Sequence, residues 1–235
     1  MTQLPLAAGS YLLSAEHLIT LAATAALSVA LPVAARRNPG PWTRVFSRGL
    51  AAVLLASFLV YPLVVGLQGS YELDFDLPLH LTDAAAMVAA IALLTLRPLP
   101  FELAYFWGLT ASVQAVLTPS LDGDDRFPGF IYWHYFMTHS GVVVAAIFLA
   151  FGLGLTARRG AVRRVFLATV AWAGVAAAGN LVTGGNYMFL RDPPETASLL
   201  DYMGPWPWYL FSAAVLALGL FALLDLPFRR RRRPA

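Results

Sequence analysis

The sequence predicts an all-α bundle of membrane-crossing helices, and three observations carry that expectation. Of 235 residues, 59% are hydrophobic and only 12% charged, too little polar surface to clothe a water-soluble domain. The apolar residues fall in seven runs, each close to the ~20 residues that span bilayer hydrocarbon. Arginine clusters beside alternate ends of those runs, which is a topology signal.

Taken in order, the first run, Glu16–Ala35, is followed by Arg36, Arg37, Arg44 and Arg48, and the second, Arg48–Leu67, leads into Glu72, Asp74 and Asp76. Pro78 introduces the third, Leu79–Leu96, in a first turn where its missing N–H costs nothing. Arg97-Pro98-Leu99-Pro100 leaves only a brief turn before the fourth, Glu102–Leu117, so these two are expected to form a tight hairpin. The fifth, Ile131–Leu155, precedes Arg158, Arg159, Arg163 and Arg164. The sixth is Arg164–Val182, and the seventh, Trp208–Leu224, ends at Arg229–Arg233. Only Arg126 and Arg191 fall at the opposite ends, among Asp122, Asp124, Asp125, Asp192, Glu195 and Asp201. The positive-inside rule therefore puts the N-terminus outside and the C-terminus in the cytoplasm. The expected protein is a multi-pass protein of the cell membrane, with residues 1–235 forming one integral domain.

Composition also excludes chemistry. All 16 basic residues are arginine, so no lysine is present to form a Schiff base. There is no cysteine, hence no disulfide, thiolate nucleophile or thiolate metal site. The net charge of +3 resides in arginine tracts beside the spans and does not indicate nucleic-acid binding. Membrane lipids are the expected partners, and no cofactor or metal is called for.

The polar residues inside the runs gather near one end. His80 and Asp83 are three apart at the start of the third run and share a helix face, while Thr82 points about 100° away from Asp83. Thr110, Gln114 and Thr118 make a stripe at four-residue spacing on the fourth. His134 and His139 open the fifth, and because they diverge by roughly 140°, only one is expected to face Thr82. His139, the deeper, is the better candidate. Asn180, followed by Asn186, brings the sixth run to the same level. Such groups are costly in hydrocarbon unless they face a bundle interior or wet cavity. A threonine hydroxyl becomes a nucleophile when a histidine withdraws its proton and a carboxylate orients that histidine; amides can donate to an oxyanion. Thr82, His139 and Asp83 are thus the candidate catalytic residues. His80, Gln114, His134, Asn180 and Asn186 are the candidate substrate-binding residues.

Three other readings use the same residues. They can form an interhelical hydrogen-bond network. Imidazoles and Asp83 can bind a metal, although no HExxH pair is present. The cluster can also serve a transporter or small-ligand-binding protein as a ligand or proton site. Elsewhere, Glu102 is expected to stabilise a helix N-terminus or pair with Arg97, Asp225 to balance the arginine tail, and Gly108, Gly141, Gly174 and Gly179 to permit close helix contact. The Arg229–Arg233 tract reads as an anchor at anionic headgroups rather than as a specific lipid site.

The blocks Leu77-Pro78-Leu79-His80-Leu81-Thr82-Asp83, Glu102-Leu103-Ala104-Tyr105-Phe106-Trp107-Gly108, Gln114 to Pro119, Phe127-Pro128 and Tyr135-Phe136-Met137-Thr138-His139 resemble the YwaF-type integral membrane proteins. That resemblance covers about residues 70–190. Relatives of this type include a eukaryotic transmembrane phospholipid acyltransferase, whose proposed cysteine and histidine pair would correspond to Thr82 and His139. The chain departs from it in having no cysteine. A threonine and histidine pair is similar to that of the androgen-induced hydrolases of fatty acid esters, a likeness of architecture and chemistry. The resemblance thus implies a lipid acyl hydrolase or acyltransferase with a Thr/His site near the outer leaflet.

Overall fold

A computed structural model describes residues 12, 14–121, 125, 127–194 and 198–231, of which Arg230 and Arg231 are described by backbone alone. Asp122, Asp124, Arg126, Glu195, Arg232 and Arg233 lie outside the described residues. Those described form eight α-helices and no strand: α1 (Ala15–Arg37), α2 (Pro41–Leu67), α3 (Leu81–Thr95), α4 (Pro98–Trp107), α5 (Val113–Leu117), α6 (Phe130–Ile147), α7 (Ala161–Thr183) and α8 (Trp208–Arg231). π turns join α4 to α5 (Gly108–Ser112) and extend α6 (Phe148–Gly152).

Local chemistry sets the ends. The Ser14 hydroxyl accepts from the His17 N–H at 3.3 Å, and Glu16 and Arg36/Arg37 complement the two poles of the α1 dipole. Pro41 and Pro98 occupy first turns, where a missing donor costs nothing. Gly160 and Gly184, at φ 77° and 85°, supply the left-handed residues flanking α7.

Among the described residues, five helices are long and apolar enough to cross a membrane: α1, α2, α6 with its π turn, α7 and α8. The sequence-based count of seven meets two departures. α3 has 15 residues, about 22 Å of helix against about 30 Å of hydrocarbon. The fourth run forms helix from Pro98 but is divided by a π turn. α2 also starts earlier than expected, at Pro41 rather than Arg48.

The chain runs up and down. His17, beginning α1, meets the Val116 carbonyl near the end of α5 at 2.9 Å, and Arg36, ending α1, donates to the Phe151 carbonyl at the end of α6. α3 occupies the interior, packed by α2, α4, α6 and α7. Its Ala84, Ala85, Ala86, Ala89, Ala90 and Ala92 are all buried, because methyl-sized side chains let four neighbours approach. α6 is the other inner helix: 61% of its apolar window is buried, against 17–22% for the other four spans. Those four turn large apolar side chains outward, such as Leu59, Leu181 and Val182. This outward apolar surface is what lipid requires and water penalises.

Two of the four glycines named above meet neighbouring helices closely. A Cβ on Gly108 would lie 3.0 Å from Val142, and one on Gly141 3.1 Å from Leu54. Gly179 faces Leu79, beside which a Cβ has no room. Gly174 is a correction: nothing lies within 4 Å of a Cβ built there. Glu102 is another. It pairs not with Arg97 but with Arg158 and Arg164, each at 2.9 Å, and also accepts the Arg158 backbone N–H at 2.9 Å. Arg97 is a neighbour along the chain, but α4 and α7 both start at this end, so the connection before α7 and its first turn present Arg158 and Arg164 to a carboxylate that is fully buried. Asp225 does balance the tail, through Arg229 at 3.0 Å.

Candidate functional site

The start of α3 is built by a reciprocal cap. His80 is the N-cap residue, and its backbone N–H donates to the Asp83 carboxylate at 2.9 Å, satisfying an amide that the helix itself leaves unpaired. The His80 ring is held from the α7–α8 connection. Its Nδ1 accepts the Met188 N–H at 3.3 Å, which requires a lone pair there and puts the ring proton on Nε2. Tyr187 and Phe189 flank the ring, each with centroids 5.4 Å away.

That connection is itself braced. Asn180 donates to the Tyr187 carbonyl at 3.1 Å and accepts the Tyr187 N–H at 2.6 Å. The Tyr187 hydroxyl donates to the Leu73 carbonyl at 2.7 Å and accepts the Leu77 N–H at 3.0 Å. Burial holds this phenol neutral, its pKa raised above the ordinary 10. Met188 and Phe189 adopt φ of 56° and 53°, a left-handed pair that side chains disfavour by about 1–3 kcal/mol each. The bonds to Tyr187 and His80 over-determine the turn and keep it there.

α6 supplies the opposite wall. His139 is buried, stands edge-on to Tyr135 at 4.2 Å, and has an Nδ1 with no hydrogen-bond partner among the described residues. A buried imidazole nitrogen without a partner is a costly vacancy in the network. His134 stacks against Tyr61 of α2 at 4.6 Å and bonds to the Ser57 carbonyl. Tyr61 donates to Asp76 at 2.6 Å. His139 lies within electrostatic reach of both His80 and His134, and Tyr61 within reach of Asp76 and Asp83.

The residues singled out from sequence thus divide. His80 and Asp83 lie at the start of α3, and His134 and His139 on α6, which packs against it; of these, His139 is near both other imidazoles. Thr82, half-buried in the first turn of α3, has no hydrogen-bond partner among the described residues. Asn180 is buried, with its carbonyl and amide both engaged by Tyr187. Asn186 staples its own loop, donating to the Asp192 carbonyl at 2.8 Å and accepting from Arg191 at 3.0 Å. Gln114 is exposed on α5 and donates to Thr118 at 2.7 Å. The π turn explains this: it adds a residue to the helix and turns all that follows by about 100° from an α-helical extrapolation.

Sequence reasoning passed over Tyr61 and gave no contact to Asp76, Tyr135 or Tyr187. A tyrosine in an apolar run reads as an interfacial anchor, and only contacts between distant segments reveal otherwise. It also passed over a second polar seam, in which Thr20 meets Tyr132 at 2.7 Å and Thr24 donates to Ser140 at 2.8 Å, joining α1 to α6. Among the described residues, no three His, Asp or Glu side chains converge tightly enough to hold a metal ion.

Comparison with known proteins places these features in a lineage. The TMEM164 family profile matches residues 12–225. An uncharacterised protein of Treponema pallidum (strain Nichols) is 32% identical over 157 residues, which is 66% of this chain. The match spans 63% of that protein, so the chain corresponds to somewhat under two thirds of its relative's length. No solved structure matches.

Proposed function

The chain belongs to the TMEM164 family, a family of membrane proteins, and from that premise we propose that it acts on acyl esters of membrane lipids as a hydrolase or acyltransferase. The observation that carries this reading is His139: a buried imidazole whose Nδ1 has no partner among the described residues, on a helix packed against the one whose first turn holds Thr82. The YwaF-type blocks quoted above support the same assignment, and the arginine placement supports seven spans with the N-terminus outside. The site would then open toward the outer leaflet of the cell membrane.

In this reading His139 takes the Thr82 proton as the threonine oxygen attacks an acyl carbonyl. The imidazolium returns the proton to the departing lysolipid oxygen, leaving an acyl-threonine ester. Water completes hydrolysis, and a second lysolipid completes transfer. Asp83 and His80 fix the first turn that carries Thr82, His134 and Tyr61 line the wall, and Asn180 and Asn186 shape the loop over it. Gln114 lies outside this arrangement.

Incubating purified wild type, Thr82→Ala and His139→Ala with mixed phospholipids and lysolipids, followed by lipid mass spectrometry, tests the proposal. Acyl species made by wild type alone are the expected result. Identical profiles for the three would abandon catalysis in favour of a ligand-binding or transport role.

A further inference from the structure

A second site lies at the opposite, arginine-rich end of the bundle. Where the start of α7 meets the end of α8, the surface opens into a groove of about 380 Å³. One half is charged. Arg163 reaches into it exposed and without a partner among the described residues. Arg229 lies across from it, with its Nε committed to Asp225 at 3.0 Å. That single bond leaves the outer N–H groups of its guanidinium available, so two cations face one carboxylate and the mouth carries net positive charge.

The other half is apolar. Val162 and Phe166, the latter almost one turn beyond Arg163, continue the groove along α7, and Leu218 continues it along α8. Leu218 and Arg229 are separated by about 16 Å of helix, enough to accompany much of an acyl chain. Both helices expose large aliphatic side chains beside it, including Leu167 and Leu223, so a ligand reaches the groove sideways from lipid rather than from water.

We propose that this groove binds an acidic phospholipid of the adjacent leaflet, its phosphate between Arg163 and Arg229 and one chain along Phe166 and Leu218. Charge complementarity selects the headgroup: planar guanidinium groups match phosphate oxygens, and a zwitterionic lipid would set its own cation against two arginines. The apolar half selects a lipid over a soluble phosphate. The arginine tail, which by sequence alone reads as a general anchor, thus begins with a residue of a shaped site. This assignment is independent of the chemistry proposed for Thr82 and His139.

Native mass spectrometry of the full chain, released from micelles holding equal dioleoyl phosphatidylglycerol and dioleoyl phosphatidylcholine, tests it without any enzymatic readout. Wild type is expected to retain one phosphatidylglycerol preferentially. Arg163→Gln and Arg229→Gln should each lower that occupancy about fivefold, the worth of one arginine at an anionic surface. Leu218→Trp, which leaves every charge in place, should lower it by filling the groove, and Arg44→Gln, an exposed arginine outside the groove, should not. Equal retention of the two lipids, an Arg44→Gln loss matching that of Arg163→Gln, or displacement of the lipid by soluble glycerol phosphate would each overturn the proposal.

Discussion

Asn180 and Tyr187 hold each other by two reciprocal hydrogen bonds, amide to carbonyl at 3.1 Å and backbone N–H to side-chain oxygen at 2.6 Å. The pair closes the end of α7 onto the turn whose Met188 N–H holds His80. Asn180→Ala should therefore cost about 1–3 kcal/mol, the penalty for buried polar groups left unpaired. Thermal unfolding in detergent measures it. Asn180→Asp should be worse, since it keeps an acceptor, removes the donor and buries a charge. An alanine variant as stable as wild type would show that the turn holds without this clamp.

The phenol of Tyr187 makes a pH prediction. Its pKa is raised in the folded protein by burial, so the stability it contributes is full below the unfolded value near 10 and falls as pH rises toward the folded value. Wild type should lose stability above pH 10 relative to its own value at pH 8, and Tyr187→Phe should lose less over the same interval. Parallel unfolding curves across that range would contradict the assignment.

At the arginine-rich end, the Glu102 cluster is asymmetric. The carboxylate is fully buried, whereas the Arg158 and Arg164 side chains are 49% and 33% exposed. Removing the carboxylate leaves cations that water can rehydrate. Removing both arginines leaves a charge that water cannot reach. Arg158→Met with Arg164→Met should consequently cost about 3–5 kcal/mol, and Glu102→Gln clearly less, when unfolding is followed by denaturant titration. The reverse order would mean that the arginines are structurally secondary.

Two glycines provide a packing contrast. Gly108→Ala places a methyl 3.0 Å from Val142 and 3.3 Å from Ala146, overpacking that should cost about 1–3 kcal/mol. Gly174→Ala meets nothing within 4 Å and should stabilise α7 by about 0.5–1 kcal/mol through helix propensity. Melting temperatures of the two variants should move in opposite directions.

These cases also show what was legible before the structure. Helical class and the long spans follow from the length of apolar runs, a local property, and α1, α6, α7 and α8 begin within a few residues of where hydropathy puts them. That His80 and Asp83 open α3 and His134 and His139 lie in the first turns of α6 also follows from span positions. The exposure of Gln114 was not legible, because a π turn leaves no mark in composition. The support of His80 was invisible because its partner, Met188, lies 108 residues away, and Glu102 was paired with the nearest arginine along the chain rather than with those that tertiary packing brings from the start of α7 and the connection before it.

The connections 38–40, 96–97 and 153–160 at one end are short, and the last is riveted by Glu102, whereas 68–80, 118–129 and 184–207 at the other are longer. Mechanically one end of the bundle is bolted and the other is laced. At the bolted end Glu102 ties α4 to the α6–α7 connection and to the first turn of α7, so loosening that rivet should let three helices shift together, whereas loosening Asn180 should free one turn.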